Sequence, residues 1–108
     1  MCFYKTLQKN EHGYVVKCNK CAHLHVAFGN TVMAFTTDQF HEFLRTVRDC
    51  KDVNADCTNR SAKTIQIPTA ARSITLVYSL NEIQNLLELL EKAAKKQNDD
   101  LLFNFCYN

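Results

Sequence analysis

Glycine and proline are nearly absent from this chain of 108 residues, which holds two glycines (Gly13 and Gly29) and one proline, Pro68. That scarcity leaves little room for a flexible linker or for a glycine-rich loop that cradles phosphate. Long apolar runs are missing as well. Nothing approaches the roughly 18 consecutive apolar residues needed to cross a bilayer. The opening stretch Met-Cys-Phe-Tyr-Lys-Thr-Leu-Gln-Lys lacks the apolar centre of a secretory signal, which predicts a cytoplasmic protein. Thirteen basic residues against eleven acidic ones leave a net charge of +2. That balance is too even to mark the whole surface for nucleic acid or membrane.

What is present suits one globular domain over residues 1–108. The hydrophobic fraction is 46%, and a chain of this length buries enough surface for a core without obligatory staples. There are six cysteines: Cys2, Cys18, Cys21, Cys50, Cys57 and Cys106. In a reducing compartment such thiols pack as small hydrophobes, hold a metal or do redox work, rather than form a disulfide framework.

Residues 1–36 read as a β-meander. Leu24, Val26 and Phe28 alternate with His23, His25 and Ala27, the period-two pattern of a half-buried strand. Asn10-Glu-His-Gly13 and Gly29-Asn30 supply turns. Thr36 with Gln39 forms a capping box for a helix over 37–51, whose Phe40, Phe43, Leu44 and Val47 share one face. A polar connection, 52–59, follows.

The plan then repeats. A shift of 43 positions sets Met33 on Leu76, Phe35 on Tyr78, Thr36 on Ser79, Gln39 on Glu82, Phe40 on Ile83 and Val47 on Leu90. A second ββα unit is therefore expected over 62–97, with 100–107 as an edge strand. The predicted fold is α+β and two-layered. A mostly antiparallel sheet of roughly five to seven strands, shared by two ββα-like repeats, carries two helices on one face.

Cys18-Asn-Lys-Cys21 is the motif whose spacing carries chemistry. Two thiolates two residues apart in a tight turn can grip one tetrahedral zinc ion. A redox dithiol instead opens a helix, which lowers its thiol pKa; here strands flank both cysteines. If the first hairpin turns at Asn10–Gly13, Lys9 faces Tyr14, Lys5 faces Cys18 and Cys2 faces Cys21. That register brings a third sulfur to the corner. His23 is the candidate fourth ligand, with Asp38 and His41 near the same end of the sheet. Cys50 is excluded, since a helix from 38 to 50 carries it about 18 Å away. Asn19, Lys20 and Ala22 stand where proline and glycine would ease the tight backbone.

Two other features suggest partners. Lys5, Lys9, Lys17 and Lys20 outweigh Glu11 by +3 over residues 1–36. With Tyr4 and Tyr14 nearby this face could meet RNA or DNA, although the aromatic interleaving is thin and a solvated sheet face is the better reading. In the last helix Leu86 and Leu89 widen the apolar stripe of Leu80, Ile83, Leu87, Leu90 and Ala94. These surplus leucines point to a second copy or a protein partner.

The run from Gly13 to Asn30, with Cys18-Asn-Lys-Cys21 and Phe28-Gly-Asn30, resembles a family of short uncharacterised bacterial proteins. Those have a Cys-x-x-Cys hairpin, a Phe-Gly-Asn turn and a strand leading into a phenylalanine-rich helix. Ile65-Gln-Ile-Pro68 and Ser79-Leu-Asn-Glu82 extend the likeness over most of the chain. The resemblance implies a cytoplasmic bacterial protein and supplies no activity. The expected function is a small non-enzymatic module that holds zinc at Cys2, Cys18, Cys21 and His23 and binds a protein partner or itself. A thiol-disulfide or metal-dependent enzyme using the same cysteines is the first alternative, and nucleic-acid binding through the basic N-terminal sheet is the second.

Overall fold

The computed structural model describes the backbone of residues 3–107 and the side chains of residues 3–100. The chain is α+β. Strands β1 (Tyr4–Asn10), β2 (Gly13–Cys18), β3 (Leu24–Phe28) and β4 (Thr31–Phe35) form an antiparallel sheet in sequence order. Helix α1 (Thr37–Val53) follows, then a hairpin of β5 (Ile65–Pro68) and β6 (Thr75–Tyr78), and finally α2 (Leu80–Tyr107). Among the described residues, no helix is long and apolar enough to cross a membrane.

Each turn has a local cause. The Asn10 side-chain oxygen accepts the N–H groups of His12 at 2.8 Å and Gly13 at 3.1 Å, so asparagine itself folds the first hairpin. Gly13 is required by proximity, because a Cβ there would lie 1.9 Å from the Ala27 carbonyl oxygen. Gly29 has φ of 60° in the two-residue loop between β3 and β4. A positive φ at the first loop position alone matches the type II′ hairpin turn.

One irregularity decides which way β1 faces. Lys9 pairs with Tyr14 and Gln8 with Val15, but the register then shifts and Thr6, not Leu7, pairs with Val16. Leu7 is thus an inserted bulge residue, and the shift moves it from the outer face into the core, where it is 6% exposed. The shift also corrects the simple hairpin arithmetic: Tyr4, rather than Lys5, stands opposite Cys18, and Lys5 stands opposite Lys17.

Leu7, Val15, Leu24, Val26 and Phe28 from this sheet join Phe40, Phe43, Leu44 and Val47 of α1 and the leucines of α2 in one core. Both capping boxes form. Thr36 Oγ1 accepts the Gln39 N–H at 3.2 Å while Gln39 Oε1 accepts the Thr36 N–H at 2.9 Å. Ser79 and Glu82 do the same at 3.2 and 3.0 Å. The repeated register holds at the level of burial, since Phe40 and Ile83, and Val47 and Leu90, are all fully buried.

Three expectations are corrected. The two units do not share one sheet, for β5 and β6 pair only with each other. Side chains dock that hairpin instead: Phe28 meets the Tyr78 ring edge to face, with centroids 5.7 Å apart. Residues 100–107 are not an edge strand, because α2 runs on to Tyr107. No glycine or proline interrupts residues 80–107, and extending an existing helix needs no new nucleus. The surplus leucines of α2 are already covered within the chain. Leu86 and Leu89 are 0% exposed, because α2 packs against α1 and also against β1 and β2.

Two outcomes follow for stability. Leu86→Ala, which empties a fully buried site, is expected to cost about 2–5 kcal/mol, whereas Val32→Ala on the open surface should change stability by less than ~0.5 kcal/mol. Urea titration measures both. The second outcome concerns Glu82. Burial pushes its carboxyl up, but Lys63 at 2.6 Å and the bonds to Ser79 outweigh that and hold it below the ordinary range. A carboxyl lowered on folding contributes stability that is complete above its unfolded value, about 4.3, and drains away as pH falls through its folded value. Unfolding free energy should therefore drop on acidification below roughly pH 4.3, and Glu82→Gln should flatten that drop in a denaturation series.

Candidate functional site

The turn that joins β2 to β3 gathers the chemistry. Cys18 donates its N–H to the His23 carbonyl at 2.9 Å, and the Ala22 N–H returns to the Cys18 carbonyl at 3.1 Å. These two bonds close a tight loop that holds Cys18 and Cys21 3.2 Å apart. Cys18 is fully buried at the end of β2 and Cys21 is exposed on the loop. Ala22 takes the strain: its φ is 60°, the left-handed region, and it is the one described non-glycine residue there. A residue with a Cβ pays roughly 1–2 kcal/mol for that conformation.

The start of β1 is tied to the same loop. The Asn19 N–H donates to the Phe3 carbonyl at 2.9 Å, and the Phe3 N–H donates to Asn19 Oδ1 at 3.3 Å. Asn19, the first residue between the two cysteines, is therefore the clamp that holds the N-terminal strand at the corner. Cys2 lies outside the described residues.

Helix α2 passes over this corner. Lys5 Nζ meets Asp100 Oδ2 at 2.7 Å, and Lys96 lies 3.4 Å from the other Asp100 oxygen. The Lys5 hydrogen bond, with both lysine charges behind it, draws the Asp100 carboxyl below its ordinary range. Between helix and loop lies a cleft of about 320 Å³ lined by Leu7, Cys18, Ala22 and Gln97 among others. Gln97 is 3% exposed, and its Oε1 has no hydrogen-bond partner. Neither Gln97 nor Asp100 was legible as a neighbour of the cysteines. They lie some eighty positions along the chain, and only the continuation of α2 brings them there.

The other sequence candidates are dispersed. His23 lends its backbone carbonyl to the loop, and its side chain is exposed. Asp38 is exposed at the start of α1. His41 is exposed and sits edge-on to Phe40, with ring centroids 5.6 Å apart. Among the described residues, no three His, Cys, Asp or Glu side chains converge as a metal site. Cys50 and Cys57 pack against the core instead. Burial, reinforced by the Asp49 charge, pushes the Cys50 thiol up, and the Cys57 thiol donates to the Asn59 carbonyl at 3.2 Å. A raised thiol pKa suits packing rather than nucleophilic chemistry.

The chain belongs to DUF6686, a family of unknown function whose model matches residues 1–108. No curated protein and no solved structure matches it.

The strain at Ala22 has a direct test. Ala22→Gly should raise stability by about 1 kcal/mol, the relief of the left-handed penalty less the added freedom of the unfolded glycine, while Ala22→Val should lower it by more than that. Chemical denaturation of the three proteins ranks them.

Proposed function

We propose that this chain is a small, non-enzymatic binding module whose N-terminal sheet is closed at one end by a structural zinc ion. Cys2, Cys18 and Cys21 supply thiolates, and His23 is the fourth ligand. The observation that carries this reading is the Cys18–Cys21 loop: two cysteines 3.2 Å apart at their nearest approach, in a turn to which the start of β1 is bound through Asn19 and Phe3. Cys2 is joined to Phe3 by one peptide bond, so its Cα is about 3.8 Å from that anchored residue. His23 follows Cys21 by two positions and keeps its ring in solvent, where it is free to turn inward when an ion arrives.

A structural role fits better than a catalytic one. Four protein ligands fill the tetrahedral shell and leave no open position for water or substrate. The dithiol alternative lacks its usual support, because the loop leads into β3 rather than a helix N-terminus that would stabilise a thiolate. The Ala22 conformation also fits a clasp: the turn holds a strained backbone that brings the two cysteines close, and ion binding would offset that strain.

Zinc content by elemental analysis and thermal melting test this reading. Purified protein loaded with zinc and desalted should hold one ion per chain. Zinc at a hundred times its dissociation constant should stabilise the fold by about 2.7 kcal/mol, a rise in melting temperature on the order of 10 °C for a domain of this size. A Cys18→Ser, Cys21→Ser double variant should lose both the ion and the rise, whereas Cys50→Ser and Cys57→Ser should keep them. His23→Ala should weaken binding without abolishing it. A protein that takes up no zinc, or that takes it up equally without Cys18 and Cys21, overturns the proposal.

A further inference from the structure

The face of the four-stranded sheet turned away from the core carries a second surface, bordered at one end by the cysteine loop. Strand alternation and the register place Tyr4, Thr6 and Lys9 of β1, Tyr14 and Val16 of β2, and His25 of β3 on it. The bulge at Leu7 is what keeps the β1 residues there, since it sends the one large aliphatic side chain of that strand inward. Tyr4 is 53% exposed and Tyr14 39% exposed. The Tyr4 ring reaches across to His25, edge to face, with centroids 5.2 Å apart. These rings and Val16 line a shallow hollow.

The charge on this surface has one sign. None of β1 to β4 contains an aspartate or glutamate. Glu11, the single acidic residue before Asp38, sits in the turn at the far end, 3.4 Å from His12. Lys5 points to the helix side and is matched by Asp100. Lys9 on the sheet and Lys20 on the cysteine loop are exposed.

From this juxtaposition of exposed rings, positive rim and absent carboxylates, we propose that the open sheet face binds single-stranded nucleic acid. Two or three unpaired bases stack on Tyr4, Tyr14 and His25, and the phosphates run past Lys9 and Lys20. Single strands expose the base faces that tyrosines recognise, and stacking of this kind tolerates any sequence. A duplex hides those faces, and a shallow sheet offers nothing that enters a groove. An acidic peptide would satisfy the lysines but leave the rings without a matching surface. Tyr4, Tyr14, His25 and Lys9 lie on the paired strands, so protein with and without added zinc separates this surface from the site above.

Fluorescence anisotropy of the protein, with and without added zinc, against labelled dT15 and rU15 decides the matter. Binding is expected to weaken with salt, with a log–log slope of about −1.4 for two neutralised phosphates on a single strand. Lys9→Gln should reduce the magnitude of that slope by about 0.7. Tyr14→Ala and Tyr4→Ala should each weaken binding about tenfold, and Tyr14→Phe, which keeps the ring, should restore it. Circular dichroism confirms that each variant is folded. A preference between dT15 and rU15 identifies which strand the surface takes, and either one supports the proposal. Three outcomes overturn it: no binding of either oligomer at 50 mM salt, binding that both alanine variants leave intact, or equal affinity for duplex DNA or polyglutamate.

Discussion

The wide apolar stripe of α2 is the constraint around which the chain is arranged. Leu80, Ile83, Leu86, Leu87, Leu89, Leu90 and Ala93 are all buried, and such a stripe is too broad for one neighbour to cover. α1 takes one side of it and β1 with β2 takes the other. The energy involved is large compared with any surface contact, since each buried leucine contributes about 1.5–3 kcal/mol. Helix and sheet are thereby fixed to each other, and the smaller features follow from that placement. The end of α2 lies over the start of β1, where Asp100 receives Lys5, and the cysteine loop lies under the same stretch of helix. The bulge at Leu7 belongs to this arrangement too. Without it, the strand beneath α2 would show the helix Thr6 instead of leucine.

Much of this was readable in the residues. The four-strand meander, the two capping boxes and the recurring strand–cap–helix register each rest on patterns that act locally. A serine or threonine three residues before glutamine or glutamate can satisfy helix N–H groups wherever it occurs, so Thr36 and Ser79 announced α1 and α2 correctly. What could not be read depended on neighbours distant in sequence. The Leu7 bulge has no signature of its own, because strict alternation along β1 is equally consistent with either face. Leu101 to Cys106 alternate and are almost wholly apolar, and a short run of that kind suits strand and helix alike. The preceding helix decided the matter. The split into two sheets was hidden for a similar reason. The register of the repeat predicts elements, whereas the joining of β4 to β5 requires backbone geometry that the repeat does not encode.

The candidate site divides along the same line. The spacing of Cys18 and Cys21 in a turn between strands was legible, since three peptide units of tight loop keep the two residues close. Ala22 was legible as a misfit, and its φ of 60° shows the cost of placing alanine there. Asn19 looked like a mere departure from the favoured proline, yet it supplies both groups that hold Phe3. That contact links β1 to the loop more firmly than strand register alone. Gln97 and Asp100 could not have been named in advance, because their relation to the loop exists only once α2 is laid across it.

Net charge illustrates how an average conceals a surface. The value of +2 arises from thirteen basic and eleven acidic residues, and taken over the whole chain it argues against a polyanionic partner. All but one of the acidic residues lie after Thr36, however, on the helices and the connections between them. Some of them pair with basic residues of the helices, as Glu88 does with Lys92 on α2 and Glu91 of α2 with Arg48 of α1. The strands contain no carboxylate at all. Screening confines an exposed charge to about 8–10 Å at physiological salt, so a partner on the open sheet face senses Lys9 and Lys20, and the acidic residues of the helices matter only where they come within that range. The local field, not the chain total, decides what that face attracts. On the proposed reading, the exposed tyrosines favour a polyanion that carries flat bases over a simple one.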